Sequence, residues 1–268
     1  MNIGLIVVGD EILSGKRQDK HLSRFIEILS ARGMSLSWAE YVGDDRERLT
    51  SALRRAFASG DLVISCGGIG ATPDDHTRQA AAAALGRELA LHAEARELIW
   101  QRVQQMAAER GEVADADHPD TLRRFEMGVF PAGAALIPNP YNKIPGFHVG
   151  TVYFVPGFPV MAHPMMEWVL DERHRDLHRA CPGRELSMIV AGAMEATLTP
   201  LMERIEAEHP GVKVFSLPSV DHPQWGRHIE LGVKAGPDLP TDRLDAAYAE
   251  LKSGLSQFGA SVGAELVR

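Results

Sequence analysis

The chain has 268 residues, of which 45% are hydrophobic and 24% charged, and its formal net charge is −8 at pH 7. This composition is typical of a globular protein, and the length favours one large domain followed by a small one. The acidic balance argues against a nucleic-acid partner, because no basic excess is available to displace counterions. An anionic small molecule remains compatible, since backbone amides, a helix N-terminus or a metal ion can hold a phosphate.

The cysteines and the N-terminus bear on the cellular setting. Cys66 and Cys181 are too few for a disulfide framework, and Cys66 ends an apolar run that is typical of the core. The chain enters a strand directly after Met1, without a charged leader, and no apolar stretch reaches the ~18 residues that a membrane span needs. We therefore expect a cytoplasmic protein with no membrane partner.

Strand and helix patterns alternate along the first part of the chain. The apolar runs Ile3–Val8 and Leu62–Cys66 are typical of strands buried in a parallel sheet, and Leu36–Val42 is predicted to be a second strand. Helical spacing follows each run, and five consecutive alanines make Thr77–Leu85 a strong helix. This alternation predicts an α/β domain with a mostly parallel sheet.

The remaining patterns complete a two-domain organisation, with predicted boundaries at 1–172 and 184–268. The β-α-β-β-α order after Arg184 predicts a small α+β domain. Between the two domains, the charged stretch Glu172–Gly183 is a candidate linker. Within the first domain we predict a long helix over 88–111, a loop over the site at 112–124, strands at 135–140 and 151–155, and a helix at 161–171.

Carboxylates follow the first two predicted strands. Gly9-Asp10-Glu11 comes directly after Ile3–Val8, with Ser14-Gly15 and Asp19 close behind, and Gly43-Asp44-Asp45 follows the second strand. Ligands of open α/β sheets bind at this carboxyl edge of the strands. The alternative is that these carboxylates only cap helices, which for Asp44-Asp45 alone is the more common role.

The loop after the third strand carries the stronger signal. Gly67, Gly68 and Gly70 leave the strand-to-helix turn free of side chains, so that amide N–H groups can face an oxyanion. Thr72 adds a hydroxyl, and Thr77 can cap the next helix. The adjacent Asp74 and Asp75 suit a phosphate only if a divalent cation bridges them. The loop lacks both the Walker lysine and the spaced dinucleotide fingerprint, which argues against a P-loop ATPase and a Rossmann dehydrogenase.

Two later turns follow predicted strands and are expected at the same edge. The first, 139–147, contains Asn139, Lys143 and Gly146, and the second contains Pro156-Gly157. Lys143 can offer a cation to a phosphate, whereas the simpler interpretation is two proline-stiffened turns. The histidines match no zinc signature, and His76, beside Asp75, is the one nearest to a candidate site.

Taken together, the segments Gly9–Gly15, Gly67–Thr77, Asn139–Gly146 and Pro156-Gly157 resemble the molybdopterin-binding domain superfamily of MogA, MoaB and gephyrin. Within it, residues 1–170 are most similar to the N-terminal part of CinA, the competence/damage-inducible protein. The resemblance implies a three-layer α/β/α domain, followed by a small α+β domain similar to the KH-type domain of CinA proteins. We do not expect nicotinamide-nucleotide deamidation, because the deamidase domain of full-length CinA has no counterpart in this sequence.

The resemblance implies two related chemistries. One branch of the superfamily binds molybdopterin and adenylylates it with Mg-ATP, and carboxylates at positions resembling Asp44 and Asp75 matter there. The CinA branch is similar to a pyrophosphatase that splits ADP-ribose with a divalent metal and potassium. The present sequence departs from CinA-like loops at Ala71, where proline is usual, and at Tyr141-Asn142-Lys143, where the usual segment is small and lacks lysine.

Three functions follow, in order of preference. The first is a metal-dependent nucleotide pyrophosphatase acting on ADP-ribose-like dinucleotides. The second is a molybdopterin-binding protein or adenylyltransferase, and the third is a non-catalytic nucleotide-sensing module. A role in RNA binding is disfavoured, because the small domain has no Gly-x-x-Gly clamp. A homo-oligomer is expected from the resemblance alone.

The motifs and the resemblance together assign roles to residues. Asp10, Asp44 and Asp75 are the expected catalytic residues, and these three with Asp74 are the expected ligands of Mg²⁺ or Co²⁺, with potassium as a further cation. A phosphate-bearing nucleotide or pterin, molybdopterin included, is expected to contact Gly9, Glu11, Ser14, Gly15, Asp19, Gly67, Gly68, Gly70, Thr72, Thr77, Asn139, Lys143, Gly146, Pro156 and Gly157.

Overall fold

The computed structural model describes residues 1–179, 184–236 and 239–267. These divide into two compact units, one of residues 1–30 and 35–178 and the other of residues 31–34 and 179–268. The predicted α/β class is confirmed. In the described part of the chain, no helix combines the length and the apolar character that crossing a membrane demands.

The first unit is built on a six-stranded sheet with the spatial order β2-β1-β3-β8-β7-β6. β7 is antiparallel to both of its neighbours, and the other pairs are parallel, so the sheet is mostly parallel as predicted. A separate two-stranded ribbon joins β4 to β5. The strands of the unit are β1 (Ile3–Val8), β2 (Trp38–Val42), β3 (Leu62–Cys66), β4 (Leu89–Leu91), β5 (Val129–Pro131), β6 (Ala135–Ile137), β7 (Gly146–Val149) and β8 (Val152–Val155).

Capping residues fix the ends of helices in this unit, as α3 shows. The Asp45 side chain accepts from the Arg48 amide at the start of α3, and Gly60, with φ 71°, ends that helix. The small alanine face of α4 packs against α3. The helices are α1 (Asp10–Leu13), α2 (His21–Ser30), α3 (Arg46–Ser59), α4 (Thr77–Leu85), α5 (Ala93–Glu109), α6 (Pro119–Phe125) and α7 (Pro159–Trp168).

Two predictions for the middle of the unit are wrong. The helix predicted over 88–111 begins later, because Leu89–Leu91 forms β4 and pairs with β5, and the side chain of His92 then caps α5 by accepting from the Ala95 amide. The loop predicted over 112–124 contains α6, which starts at Pro119 after the side chain of His118 caps it. In both places a histidine acts as N-cap, a role in which Ser, Thr, Asp and Asn are the usual residues.

The register of the sheet brings four strand ends to one edge. Val8 pairs with Val42, and Cys66 pairs with both Val7 and Val155. Backbone bonds continue past the strands, since the amide of Gly9 donates to Val42 O and that of Gly67 to Val155 O, each at 3.0 Å. The turns after β1, β2, β3 and β8 therefore lie side by side at the carboxyl edge.

The second unit is an α+β sandwich, as predicted. Its four antiparallel strands have the order β10-β11-β9-β12, and with two helices they form the split β-α-β arrangement. The sequence patterns missed the last strand. The elements are β9 (Arg184–Ala191), α8 (Glu195–Glu208), β10 (Val212–His222), β11 (Gly226–Ala235), α9 (Thr241–Gly254) and β12 (Ser261–Val267).

The candidate linker is only partly described. Its first residues continue the end of α7 as a π-helical turn, Val169–Arg173, and a short 3-10 helix follows at Arg175–Leu177. Residues 180–183, with Cys181 among them, lie outside the described residues. Cys66 is buried in the first unit, and burial raises the pKa of its thiol well above the ordinary value, which agrees with a core role.

Candidate nucleotide or pterin site

A cavity of about 370 Å³ lies at the carboxyl edge of the first unit's sheet. Turns after β1, β2, β3 and β8 contribute to it, so the motifs that follow these strands lie together. The predicted residues that line it are Gly9, Glu11, Asp44, Gly67, Gly68, Gly70, Thr72, Asp74, Asp75, Asn139, Pro156 and Gly157.

Asp10 and Asp44 are joined by a reciprocal pair of hydrogen bonds. The Asp10 amide donates to the Asp44 carboxylate at 2.9 Å, and the Asp44 amide donates to the Asp10 carboxylate at 3.2 Å. A Cβ on Gly43 would lie 2.4 Å from Asp10 Oδ1, so this close pairing requires glycine there. Each carboxylate therefore uses one oxygen to fix the other's turn. Asp44 lines the cavity, whereas Asp10 supports it from outside.

The charge around Asp44 is unbalanced. Partial burial raises the pKa of Asp44, and the charges of Asp10, Glu11 and Asp74 raise it further, while the hydrogen bond from the Asp10 amide opposes them. Carboxylates that repel one another in this way create a region of negative potential. Such a region attracts cations, and its oxygen atoms are the ligands that hard divalent cations prefer.

Asp75 stands in a different environment. Its Oδ1 accepts from the Gly70 amide at 2.9 Å, and its Oδ2 accepts from the Thr72 amide at 2.8 Å and from Thr72 Oγ1. Both oxygens therefore brace the loop itself. The amide of Gly70 and both donors of Thr72, which we predicted to bind phosphate, are occupied by the same carboxylate.

Thr77 also holds the loop. It is fully buried, its Oγ1 donates to Gly67 O at 2.9 Å, and its amide donates to Gly68 O at 3.0 Å. In a trans peptide the C=O and the following N–H point in opposite directions. The amides of Gly68 and Ile69 therefore face away from Thr77, and both residues line the cavity. These two N–H groups make no backbone or side-chain bond within the described residues, so they are available to donate to an anion.

Several predicted ligand residues have structural roles instead. Asp19 caps α2 by accepting from the amides of His21 and Leu22, and it also accepts from the Tyr41 hydroxyl. Gly146 lies in β7, where a Cβ would come within 2.3 Å of Phe154 O. His76 does not line the cavity. The other predicted residues that do not line it are Asp10, Ser14, Gly15, Asp19, Thr77, Lys143 and Gly146.

The basic residue that lines the cavity is not the predicted Lys143. Lys143 is exposed in its turn, with a left-handed φ of 65°, whereas Arg17 lines the cavity beside Glu11. Arg17 follows the short α1, and its amide donates to Glu11 O at 2.9 Å. The sequence offered no periodic signal for this residue, because its position depends on a turn of irregular backbone.

Apolar residues also line the cavity and form its apolar wall. Ile144, Pro145, Phe158 and Met161 contribute to it, and Phe158 is 57% exposed although it is a large aromatic residue. Asn139 is buried and shapes this wall, since its amide nitrogen donates to Ile144 O at 2.9 Å. A flat heteroaromatic ring suits such a wall, because it can stack on an aromatic face.

Arg78 is the other residue that the motifs missed. It is only 5% exposed, and its guanidinium donates to Gly70 O and to Glu126 O. Helical spacing could have indicated it, since Arg78 shares a face with the buried Ala81 and Ala82 and is thus a cation at a core position.

The site therefore has the features of a small-molecule site in an α/β protein: an amide loop, a cluster of carboxylates and an apolar wall at the carboxyl edge of the strands. Within the described residues, no group of three or more His, Cys, Asp or Glu side chains is placed to hold a metal ion unaided.

The family follows from comparison with known proteins. A family model described as a probable molybdopterin binding domain matches residues 4–176, and the chain belongs to this family. The resemblance predicted from the motifs is thus confirmed.

Similar proteins extend this result. The chain is 30% identical to a protein of Pyrobaculum calidifontis, over 92% of this chain and 93% of that protein. It is 36% identical to a CinA-like protein of Citrifermentans bemidjiense, over 96% of this chain and 59% of that relative. The chain therefore spans about three fifths of this relative. The crystal structure of CinA from Thermoplasma acidophilum aligns with a TM-score of 0.54 at 27% identity, covering 64% of this chain and 98% of that one.

Proposed function

We propose that the protein is a metal-dependent pyrophosphatase that hydrolyses ADP-ribose-like dinucleotides. The observation that carries this proposal is that one cavity combines anion donors, an excess of carboxylates and an apolar wall. A dinucleotide has a counterpart for each, since its phosphates suit the amides, its bound cation suits the carboxylates and its base suits the wall.

The carboxylates fit a divalent cation that binds together with the substrate. Asp44 and Glu11 line the cavity, and Asp44 keeps one oxygen that is not used by the Asp10 amide. Mg²⁺ is commonly held by one or two carboxylates, with phosphate oxygens and water completing its shell. The lack of a complete metal-binding group among the described side chains is compatible with that mode. Asp74 is a further ligand candidate, while Asp75 is committed to the loop.

The chain's own groups have distinct tasks in this proposal. The amides of Gly68 and Ile69 hold one phosphate, and Arg17 neutralises charge on the other. Phe158 positions the base by stacking. When bound, the cation supplies Lewis-acid stabilisation of the phosphoanhydride and lowers the pKa of the attacking water. Water adds at one phosphorus and the bridging P–O bond breaks, so ADP-ribose and water give AMP and ribose 5-phosphate.

A panel assay tests this proposal. Purified protein is incubated with dinucleotides in Mg²⁺, Mn²⁺ or Co²⁺, and the products are measured by mass spectrometry. We expect AMP from ADP-ribose in at least one metal and none in EDTA. If no dinucleotide is cleaved in any metal, the pyrophosphatase proposal fails.

A second candidate is favoured by the family itself. Membership of the molybdopterin-binding family supports a pterin ligand, and the apolar wall beside the amide loop suits a phosphorylated pterin as well as a nucleotide. This candidate predicts that pterin co-purifies with the protein and is detected by fluorescence after oxidation. Tight binding of ADP-ribose without cleavage would instead support a non-catalytic sensing module.

A further inference from the structure

Gly70 is held at both of its backbone polar groups. Its N–H donates to Asp75 at 2.9 Å, and its carbonyl accepts from the guanidinium of Arg78. An anionic side chain and a cationic side chain therefore hold the same residue of the loop. A Cβ here would lie 2.6 Å from Asp75 Oδ2, so a larger residue would displace the carboxylate from its present position.

Arg78 is an unusual residue to find in the core of this unit. A buried guanidinium is costly unless hydrogen bonds and opposite charge compensate it. Burial lowers the pKa of Arg78, and the charges of Asp75 and Glu126 raise it in compensation. Its Nε is buried and has no hydrogen-bond partner within the described residues. The guanidinium is therefore held by two specific carbonyls, those of Gly70 and Glu126, at the expense of burying its charge.

The two bonds of Arg78 connect the amide loop to the segment that precedes β5. One ends on Gly70 O in the amide loop, and the other ends on Glu126 O, directly before Met127. Both Gly70 and Met127 line the cavity. The guanidinium is planar and its donors have a fixed geometry, so it sets the relative position of two carbonyls in a way that lysine cannot.

The orientation of one peptide follows from this arrangement. All described peptide bonds are trans, and a trans peptide points its N–H away from its C=O. Since Gly70 O points toward the buried Arg78, the N–H of Ala71 points to the other side of the loop. Ala71 lines the cavity, and its N–H has no acceptor among the described residues.

We propose that Arg78 is a positioning residue that turns the Ala71 amide into the cavity, where this amide binds an anionic oxygen of the ligand. The proposal rests on the phosphate-binding part of the proposed function and not on turnover. It adds a third amide to those of Gly68 and Ile69, so that the loop presents a concave set of donors to a diphosphate. Proline at position 71 would remove this donor.

The test uses inorganic pyrophosphate with Mg²⁺ as the probe. The full chain is labelled with ¹⁵N-alanine, and the Ala71 amide is assigned by its absence from Ala71→Ser. We expect the Ala71 resonance to shift on titration of the wild type. An unmoved Ala71 resonance overturns the proposal, whether or not other resonances shift.

Variants separate positioning from general stability. Ala71→Pro removes the N–H and should weaken pyrophosphate binding about tenfold or more, as expected for losing one bond to a charged group, whereas Ala71→Ser retains the N–H and should weaken binding much less. Arg78→Lys keeps the charge but not the fork, so it should weaken binding to a similar extent. Calorimetry gives each affinity, and circular dichroism confirms that each variant is folded.

The outcomes remain separable from those of the enzymatic proposal. If Arg78→Lys binds pyrophosphate as the wild type does, Arg78 has no positioning role and the inference is wrong. If the Ala71 resonance shifts but no dinucleotide is cleaved, the inference holds and the pyrophosphatase proposal fails. Should Ala71→Pro not fold, the Ala71 resonance and the Arg78→Lys affinity still decide the matter.

Discussion

The two carboxylate-bearing loops of the site use the same residue type in opposite ways. After β1 and β2, the carboxylates of Asp10 and Asp44 each accept a hydrogen bond from the other residue's amide. Burial and like charges raise the pKa of Asp44. After β3, Asp75 accepts from two amides and a hydroxyl of its own loop. The first pair keeps negative charge that is available to a cation, whereas Asp75 is compensated by the backbone.

This difference teaches that the number of nearby amide donors decides the role of a carboxylate. A carboxylate surrounded by donors stabilises a loop, and a carboxylate surrounded by other carboxylates attracts a cation. We expect substitutions in the two loops to separate activity from stability accordingly.

The largest effect is expected from Asp44→Asn. If this side of the cavity holds the cation, metal-dependent cleavage of ADP-ribose should fall by about 100-fold or more, or about 2.7 kcal/mol of transition-state stabilisation. Steady-state kinetics across metal concentrations measures the loss. Asp117→Asn removes one exposed charge outside the cavity and serves as the matched control, with expected wild-type activity. An equally active Asp44→Asn variant would remove Asp44 from the cation site.

Asp75→Asn is expected to act mainly on stability. The amide keeps only one acceptor oxygen where the carboxylate has two, so the bonds from Gly70 and Thr72 cannot both persist. The free energy of unfolding should fall by about 1–3 kcal/mol, as for a lost bond to a charged group. Urea denaturation followed by circular dichroism measures this. Unchanged stability would mean that the bonds of Asp75 do not hold the loop.

The pH dependence of stability should reveal the raised pKa of Asp44. The pKa of Asp44 in the folded protein is raised above its ordinary value of 3.8, so the metal-free folded state binds this proton more tightly than the unfolded chain. Deprotonation therefore costs stability as pH rises through the raised pKa, and stability returns as pH falls toward 3.8. Relative to Asp44→Asn, the melting temperature of the wild type in EDTA should rise on acidification in this window. Parallel melting curves for the two proteins would contradict the raised pKa.

The smallest effect is expected at the apolar wall. Phe158→Ala removes the stacking surface while leaving the charged groups in place, so KM for ADP-ribose should rise about three- to tenfold with little change in kcat. Phe158→Tyr keeps the ring and should behave as the wild type. A change in kcat without a change in KM would show that Phe158 does not act by binding the base.

Much of the fold could be predicted because apolar periodicity reports burial directly. Ile3–Val8 and Leu62–Cys66 are fully buried runs, and Thr77–Leu85 is a helix over the predicted residues. β4, β5, β7 and β12 were not predicted. Three of these strands are short and lie next to turns, and β12 is largely exposed, so none has a strong apolar pattern.

The candidate site was predicted in its location and less well in its chemistry. Strand ends in a parallel sheet meet at one edge, so the motifs at Gly9, Asp44, Gly67 and Pro156 could be brought together from sequence alone. Hydrogen-bond geometry could not be predicted from the sequence. It is this geometry that gives Asp75 and Asp44 different roles. The cationic residues also differ from the prediction, because Arg17 and Arg78 reach the site through an irregular turn and a helix face.

The most direct test of the central claim is cleavage of ADP-ribose by matched proteins. The wild type, Asp44→Asn and Asp117→Asn are incubated with ADP-ribose in Co²⁺ or Mg²⁺ and in H₂¹⁸O, and AMP and ribose 5-phosphate are measured by mass spectrometry. The account predicts both products, with one ¹⁸O in one of them, from the wild type and Asp117→Asn, and a loss of about 100-fold in Asp44→Asn. Intact ADP-ribose with every protein and metal would contradict it.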